Sequence, residues 1–194
     1  MSARAIYLGP WRIDLDRRPG VRRVLPGTRL ARAVARVLDA AGAHGPASIG
    51  LILSDDREIA SLNRRHLGTQ GPTDVLAFPL LPAAAYPSHP GKTPSRDGMA
   101  GPDAFPLPPG RRPHLGDIVV SVERAIDQAA AGRGGQTGDV RWSAADELRL
   151  LVTHGTLHLC GWDHAEPIEE AAMRKLERRL LAVEDRHTDG PIRV

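Results

Sequence analysis

The sequence predicts an α+β domain in which a small mixed sheet packs against several helices. Short apolar runs that are typical of buried strands occur at residues 47–53, 73–80 and 115–121, and apolar residues with helical spacing lie between and after them. Strands and helices do not alternate strictly, so a regular parallel sheet is not indicated. With 194 residues the chain is long enough for one domain with its own core, and we expect a single domain over 1–194.

Five elements are predicted before residue 81. In order they are a strand at 5–8 or 11–15, a helix from about 28 to 41, a strand at 47–53, a helix from 56 to about 66 and a strand at 73–80. Thr28 is the expected N-cap of the first helix and Gly42 its stop. Ser54 or Asp55 can cap the second helix, and Glu58 follows Asp55 at the spacing of a capping box.

Four elements are predicted after residue 113. They are a strand at 115–121, a short helix to 131, a long helix over 144–160 and a last helix from 167 to about 183. Ser121 and Ser143 are the expected N-caps of the first two of these helices. Gly161 stands where a glycine ends a helix, and Pro167 can open the last one.

Residues 82–113 have a different composition from the rest of the chain. They contain nine prolines and four glycines, few large apolar residues and no periodicity. Such a segment is expected to be a flexible insertion or long loop rather than a second domain. It falls between two predicted strands, so it either borders the active cleft or is inert, and the inert interpretation is favoured.

Composition limits the class of protein. No apolar stretch is long enough to span a membrane or to form a signal core, so a cytoplasmic location is expected. Cys160 is the only cysteine, which excludes an intramolecular disulfide and fits a reducing compartment. The net charge is +3 and the positive residues are almost all arginine. This balance is compatible with nucleic-acid binding, but a compositional bias of the coding sequence is the favoured explanation.

The most informative stretch contains three histidines. His154 and His158 are four residues apart in the long helix, so both rings project from one face. A left-handed turn at Gly161 brings His164 back toward that face. Three neutral imidazoles can then bind one Zn²⁺, although nickel accepts the same ligands. Three protein ligands leave a fourth position for water, which is the pattern of catalytic zinc sites.

Residues near the histidines have several possible roles. His154 and Asp163 are the candidate catalytic residues; Asp163 either hydrogen-bonds a ligand imidazole, acts as a base or serves in a turn. Cys160 is expected to be a small buried hydrophobe that faces away from the ligands, and Trp162 to pack behind the metal loop. Asp74 and Asp117 are either cleft residues or turn residues at strand ends. The other histidines considered are expected to be surface or packed core residues: His44, His66, His89 and His187.

The spacing of the three histidines and Gly161 matches the zincin-type metal helix of metzincin peptidases. Gly155 stands where those enzymes carry the glutamate that activates water on a peptide bond. The peptidase interpretation therefore lacks its general base, while another zinc-dependent hydrolase stays open.

Three ordered blocks resemble the YbeY family over about residues 30–81 and 114–183. They are His-Gly-Thr-Leu-His-Leu-Cys-Gly-Trp-Asp-His at 154–164, Asn63 followed by Pro-Thr-Asp-Val-Leu-Ala-Phe-Pro at 72–79, and Leu-Gly-Asp-Ile-Val-Val-Ser at 115–121. The chain departs from the family pattern at Ala77, where serine is usual, and at Leu67, where the family often has an arginine. Arg64 and Arg65 lie beside Leu67 and are candidate phosphate-binding residues, or ordinary solvated helix surface.

The resemblance implies a zinc-dependent, single-strand-selective endoribonuclease that acts in 16S rRNA 3′-end maturation and ribosome quality control. It also implies rRNA, the small ribosomal subunit and its assembly factors as partners. Two alternatives stay open: another zinc-dependent hydrolase, peptidase-like in its site, and a non-enzymatic ribosome-assembly factor with a structural zinc.

Overall fold

The computed structural model describes residues 3–68, 71, 73–90, 112–132 and 143–182, and the predicted α+β architecture is confirmed there. The elements are, in order, β1 (Arg4–Leu8), β2 (Trp11–Arg17), α1 (Gly27–Ala40), β3 (Ala47–Ser54), α2 (Asp56–Leu67), β4 (Val75–Pro79), a 3₁₀ turn (Ala83–Ala85), β5 (His114–Ser121), α3 (Val122–Ala130), α4 (Ala144–Leu159) and α5 (Pro167–Ala182). None of the helices among these residues has the length and apolar character needed to cross a membrane.

The five strands form one mixed sheet in the order β1-β2-β3-β5-β4. β2, β3 and β5 are parallel, whereas β1 and β4 pair antiparallel with their neighbours and form the two edges. Both candidate N-terminal strands therefore form, as a hairpin.

Helices cover both faces of the sheet because the strands are apolar on both sides. Ile49, Leu51 and Ile118 belong to the main core, to which α1 and α4 contribute. On the opposite face Ile59 of α2 packs with Val119 in a smaller cluster. The long helix α4 is thus held against the edge of the sheet that β4 and β5 form.

Two of the predicted caps differ from the structure. α1 begins at Gly27 after Pro26, with no side-chain cap, so the expectation that Thr28 caps it is wrong. Proline supplies a φ of −59° there, and its carbonyl accepts from the backbone N–H of Arg29. Asp55 caps α2 as predicted, but the carboxylate of Glu58 does not complete a capping box. It binds Arg18 instead.

The remaining cap predictions are confirmed. The side chain of Ser121 accepts from the backbone N–H of Arg124 at the start of α3. Ser143 and Asp146 form a reciprocal capping box at the start of α4, which satisfies two backbone donors of its first turn. Gly42 takes a left-handed φ of 68° just after α1.

The first residues of the proline-rich insertion are packed, contrary to the expectation for 82–113 as a whole. The 3₁₀ turn is followed by Tyr86, whose side chain is 5% exposed and belongs to the main core. The ring of His89 stacks on that of Trp162, with centroids 3.7 Å apart and planes inclined by 7°. Residues 91–111 lie outside the described part of the chain.

Candidate metal centre

Gly155 sets how closely α4 approaches the sheet. A Cβ atom at this position would lie 2.7 Å from Cγ2 of Val75 and 2.8 Å from Cγ2 of Ile118, closer than carbon atoms pack. A glutamate side chain at position 155 therefore has no room. The close approach places the next turn of α4 directly beside the edge strand β4.

The structure brings the three predicted histidines together. His154 and His158 lie one turn apart on α4, and Gly161 turns the chain with a φ of 79° so that His164 returns to them. One ligand atom from each ring lies within 4.8 Å of the others. The ring centroids of His154 and His158 are 4.5 Å apart, and that of His164 lies 5.4 and 4.9 Å from them.

Hydrogen bonds orient two of these rings. Nδ1 of His154 lies 2.7 Å from Oε1 of Glu177, and Nδ1 of His158 lies 2.9 Å from the carbonyl oxygen of Trp162. Both oxygens are acceptors, so each neutral ring donates from Nδ1 and presents the lone pair of Nε2. The two Nε2 atoms face each other at 3.0 Å. Two lone pairs at this distance repel unless a cation lies between them, so the donor set fits a metal ion.

The electrostatics of His158 also suit a metal ligand. Burial, followed by the neighbouring rings of His154 and His164, lowers the pKa of His158 to about 4. The ring is therefore neutral near pH 7, the form in which imidazole binds a metal.

Glu177 was not foreseen from the sequence. It lies on α5, 23 residues beyond His154, and its side chain is 8% exposed. The sequence did contain an indication that this carboxylate is buried. Glu177 lies on the buried face of α5, together with Glu169, Met173 and Leu176. A carboxylate at a buried helical position needs a partner, and His154 is that partner.

Asp163 does not bond a ligand imidazole. Its side chain is exposed, and Oδ1 accepts from the backbone N–H of His164 at 2.8 Å, which shapes the bend after α4. The turn role predicted for it is therefore present.

Cys160 and Trp162 behave as packing residues. Cys160 is fully buried and is not part of the ligand group, and burial raises the pKa of its thiol to about 12. Trp162 is 8% exposed and packs in the main core. Both predictions are confirmed.

A cleft of about 670 Å³ lies in front of the histidines. One wall is the edge strand β4 with the residues beside it, and the other is α4 with the metal bend. Its lining includes Asp74 and Asp163 but, among the described residues, no lysine or arginine. Asp117 is not in the lining; its Oδ1 lies 3.1 Å from Nε2 of His114. Arg64 and Arg65 are exposed on α2 and are not in the lining either.

Comparison with known proteins gives one family. The family model described as endoribonuclease YbeY matches residues 23–184. A protein of that name from Salinispora tropica is 43% identical over 152 residues, which cover 77% of this chain and 83% of that protein. Another from Thermobifida fusca is 39% identical over 154 residues, covering 79% and 83%.

A solution structure from Thermotoga maritima has a TM-score of 0.45 at 21% identity and covers 94% of this chain and 99% of that one, a similarity too weak to bear on function. The match to the family model and the identity to these relatives extend over most of the chain. The chain belongs to the endoribonuclease YbeY family.

Proposed function

We propose that this protein is a zinc-dependent endoribonuclease that cuts single-stranded rRNA. Its role would be 16S rRNA 3′-end maturation and ribosome quality control, with the small ribosomal subunit and its assembly factors as partners. Membership of the endoribonuclease YbeY family supports the activity. One observation carries the mechanism: the Nε2 atoms of His154 and His158 face each other, with His164 beside them, at the base of an open cleft.

His154, His158 and His164 would hold one zinc ion. No fourth protein ligand joins this group among the described residues, and an open coordination position is typical of catalytic sites. That favours an enzyme over a purely structural zinc. When bound, the ion supplies a Lewis acid beside the scissile phosphate and makes a nearby water molecule acidic enough to react near neutral pH.

The protein's own groups prepare this site. Glu177 and the carbonyl of Trp162 hold the rings of His154 and His158 in the tautomer that binds metal. Asp163 lines the same cleft with an exposed carboxylate, and we assign it the general base, which takes the proton that the attacking water loses. The lack of space at Gly155 excludes the glutamate with which related zinc helices cleave peptides.

The cleft suits a flexible single strand. Its volume of about 670 Å³ is in the range of ordinary ligand pockets, and we propose that a single strand bends into it. Arg64 and Arg65 are exposed on α2, and we propose that they contact phosphates of the strand outside the cleft.

The test is cleavage by purified protein whose zinc content has been measured. Labelled single-stranded rRNA and a casein-type substrate are incubated with and without chelator. We expect chelator-sensitive cleavage of the RNA only, and loss of cleavage in His154→Ala. Cleavage that persists in His154→Ala exposes a contaminating nuclease. A zinc-loaded protein that binds small subunits but cuts no RNA would support the assembly-factor alternative.

A further inference from the structure

In the described part of the chain, the cleft in front of the histidines is lined by no arginine or lysine that could hold a phosphate. Its charged lining residues among those described are the carboxylates of Asp74 and Asp163. A nuclease that works on a polyanion normally places an arginine or lysine beside the scissile phosphate, because phosphate contacts supply most of the affinity. A cation among the described residues would therefore have to approach the histidines from outside this lining.

A second, smaller hollow is also lined by two of these histidines. It has a volume of about 170 Å³ and lies between the metal bend and α5. His154 and His164 line it as well as the cleft, so the two spaces share two of the three proposed ligands. Arg174 is the one cation in its described lining.

Arg174 is held in place but keeps most of its donors. Nη2 lies 2.5 Å from Oε1 of Glu170, one turn earlier on α5, and the side chain is 44% exposed. A guanidinium has five N–H donors, and this ion pair uses one of them. No other partner of Arg174 is found in the described part of the chain. Glu170 thus orients the guanidinium while leaving its other donors available to a ligand.

The charge balance of the hollow makes anion binding depend on the metal. Glu170 and Glu177 line it beside Arg174, so its fixed carboxylates outnumber its cation. A divalent ion on His154 and His164 reverses the sign of the local charge. An anion is then attracted to the edge of the hollow only when metal is bound.

We propose that Arg174 binds a phosphodiester of the RNA strand, next to the phosphate that lies at the histidines. This rests on the proposed function and names a binding residue for it. Arg174 supplies, from α5, a cation beside two of the histidines, which the described lining of the cleft does not provide. Arg64 and Arg65 line neither space, so they do not take this place beside the histidines.

The test measures RNA binding rather than cleavage alone. Zinc-loaded protein is titrated onto a short, labelled, single-stranded phosphorothioate RNA across a range of salt concentrations, with fluorescence anisotropy as the readout. For Arg174→Gln we expect the Kd to rise about tenfold, the usual loss for one charge-assisted hydrogen bond. The slope of log K against log salt should fall by about 0.7, the contribution of one phosphate contact to a single strand.

Matched variants distinguish a direct phosphate contact of Arg174 from the general effect of removing one positive charge. Arg178→Gln removes the same charge one turn later on α5, at an exposed residue that lines neither space, and should change both quantities much less. Glu170→Gln should act in the opposite direction and tighten binding. Arg174→Lys should keep the salt slope but bind more weakly, since an ammonium lacks the planar fork.

Equal Kd and salt slope for Arg174→Gln and Arg178→Gln would overturn the assignment of Arg174. If the zinc-loaded wild type itself binds and cuts no single-stranded RNA, the proposed function fails as well, so the two failures are distinguishable. An effect of Arg174→Gln that is present with zinc and lost after chelation supports the charge balance described for the hollow.

Discussion

Oε1 of Glu177 lies 2.7 Å from Nδ1 of His154, so α5 fixes the orientation of a ring that α4 carries. The carboxylate is nearly buried and accepts from the ring N–H, which leaves Nε2 to bind the metal. Such outer partners commonly contribute a factor of about 10–100 to metal affinity. α5 is therefore part of the candidate metal centre although it supplies none of the proposed ligands.

Glu177→Gln should weaken zinc binding by about one to two orders of magnitude while the protein stays folded. The amide keeps the size of the side chain but loses the charge that favours donation from Nδ1. Competition with a chromophoric chelator measures the affinity, and the absorption spectrum of the cobalt-substituted protein reports the ligand geometry.

Glu169→Gln is the matched control for that experiment. Glu169 is also buried on α5, but its carboxylate accepts from the backbone N–H of Glu166 rather than from a ligand ring. Its zinc affinity should stay near that of the wild type. An equal loss in both variants would assign the effect to folding of α5 and not to His154.

Gly155→Ala should destabilise the protein. The added methyl group would meet Val75 and Ile118, and overpacking of this kind costs about 1–3 kcal/mol. The better helix propensity of alanine offsets roughly 1 kcal/mol of that cost. Urea unfolding gives the net change in free energy.

A double-mutant cycle tests the cause. Val75→Ala removes one of the two obstructing methyl groups, so Gly155→Ala should cost less in that background than in the wild type. If the free-energy changes of the two substitutions simply added, the contact with Val75 of β4 would not limit how closely α4 approaches the sheet.

His89→Ala should reduce both stability and zinc affinity. The ring of His89 stacks on Trp162, whose carbonyl oxygen accepts from Nδ1 of His158. Loss of a stacked aromatic pair costs about 0.5–1.5 kcal/mol beyond the buried area. Calorimetry of the chelated protein and zinc competition measure the two effects. The control is His44→Ala, at an exposed histidine, which should change neither stability nor zinc affinity. If His89→Ala also changed neither quantity, the start of the insertion would not support the bend at 161–164.

Glu58 should contribute to stability at neutral pH and lose that contribution in acid. Hydrogen bonding from Arg18 is the main cause that lowers the pKa of Glu58 from 4.5, and Ser54 adds to it. Since the folded pKa lies below the unfolded one, the stabilisation is complete above 4.5 and disappears as the pH falls through the folded value.

The comparison variant for this effect is Glu58→Gln. In urea unfolding it should be less stable than the wild type near neutral pH, and the two should converge at a pH well below 4.5. A difference between them that does not depend on pH would contradict the role of the carboxylate charge.

Most elements were predictable because their signals are local. Ser121 and Ser143 cap helices through atoms three residues away, and apolar runs mark β3 and β5. Two of the errors come from distant partners. Glu58 stands at capping-box spacing, yet Arg18, forty residues earlier, takes its carboxylate. Tyr86 anchors the start of the insertion, but a single aromatic residue in a proline-rich segment carries no periodic signal.

In the candidate site, too, local features were predictable and contacts between distant residues were not. The histidine triad was predictable because a single helix and its bend bring the rings together. The role of Glu177 was not predictable, because its partner His154 lies on another helix. Neither helix sequence by itself indicates that α4 and α5 pack together. Of the roles that the sequence leaves open for Asp163, the structure has the turn role, because a short carboxylate readily bonds the backbone N–H of the next residue.

All three proposed ligands come from an eleven-residue stretch, 154–164, which has a consequence for zinc binding by the unfolded chain. A denatured chain still carries the complete donor set within a short loop, so it too will capture zinc, although less tightly. Because zinc binds the unfolded chain as well as the folded protein, part of the stabilisation from zinc binding is cancelled. Added zinc should therefore raise the melting temperature by less than the zinc affinity of the folded protein implies.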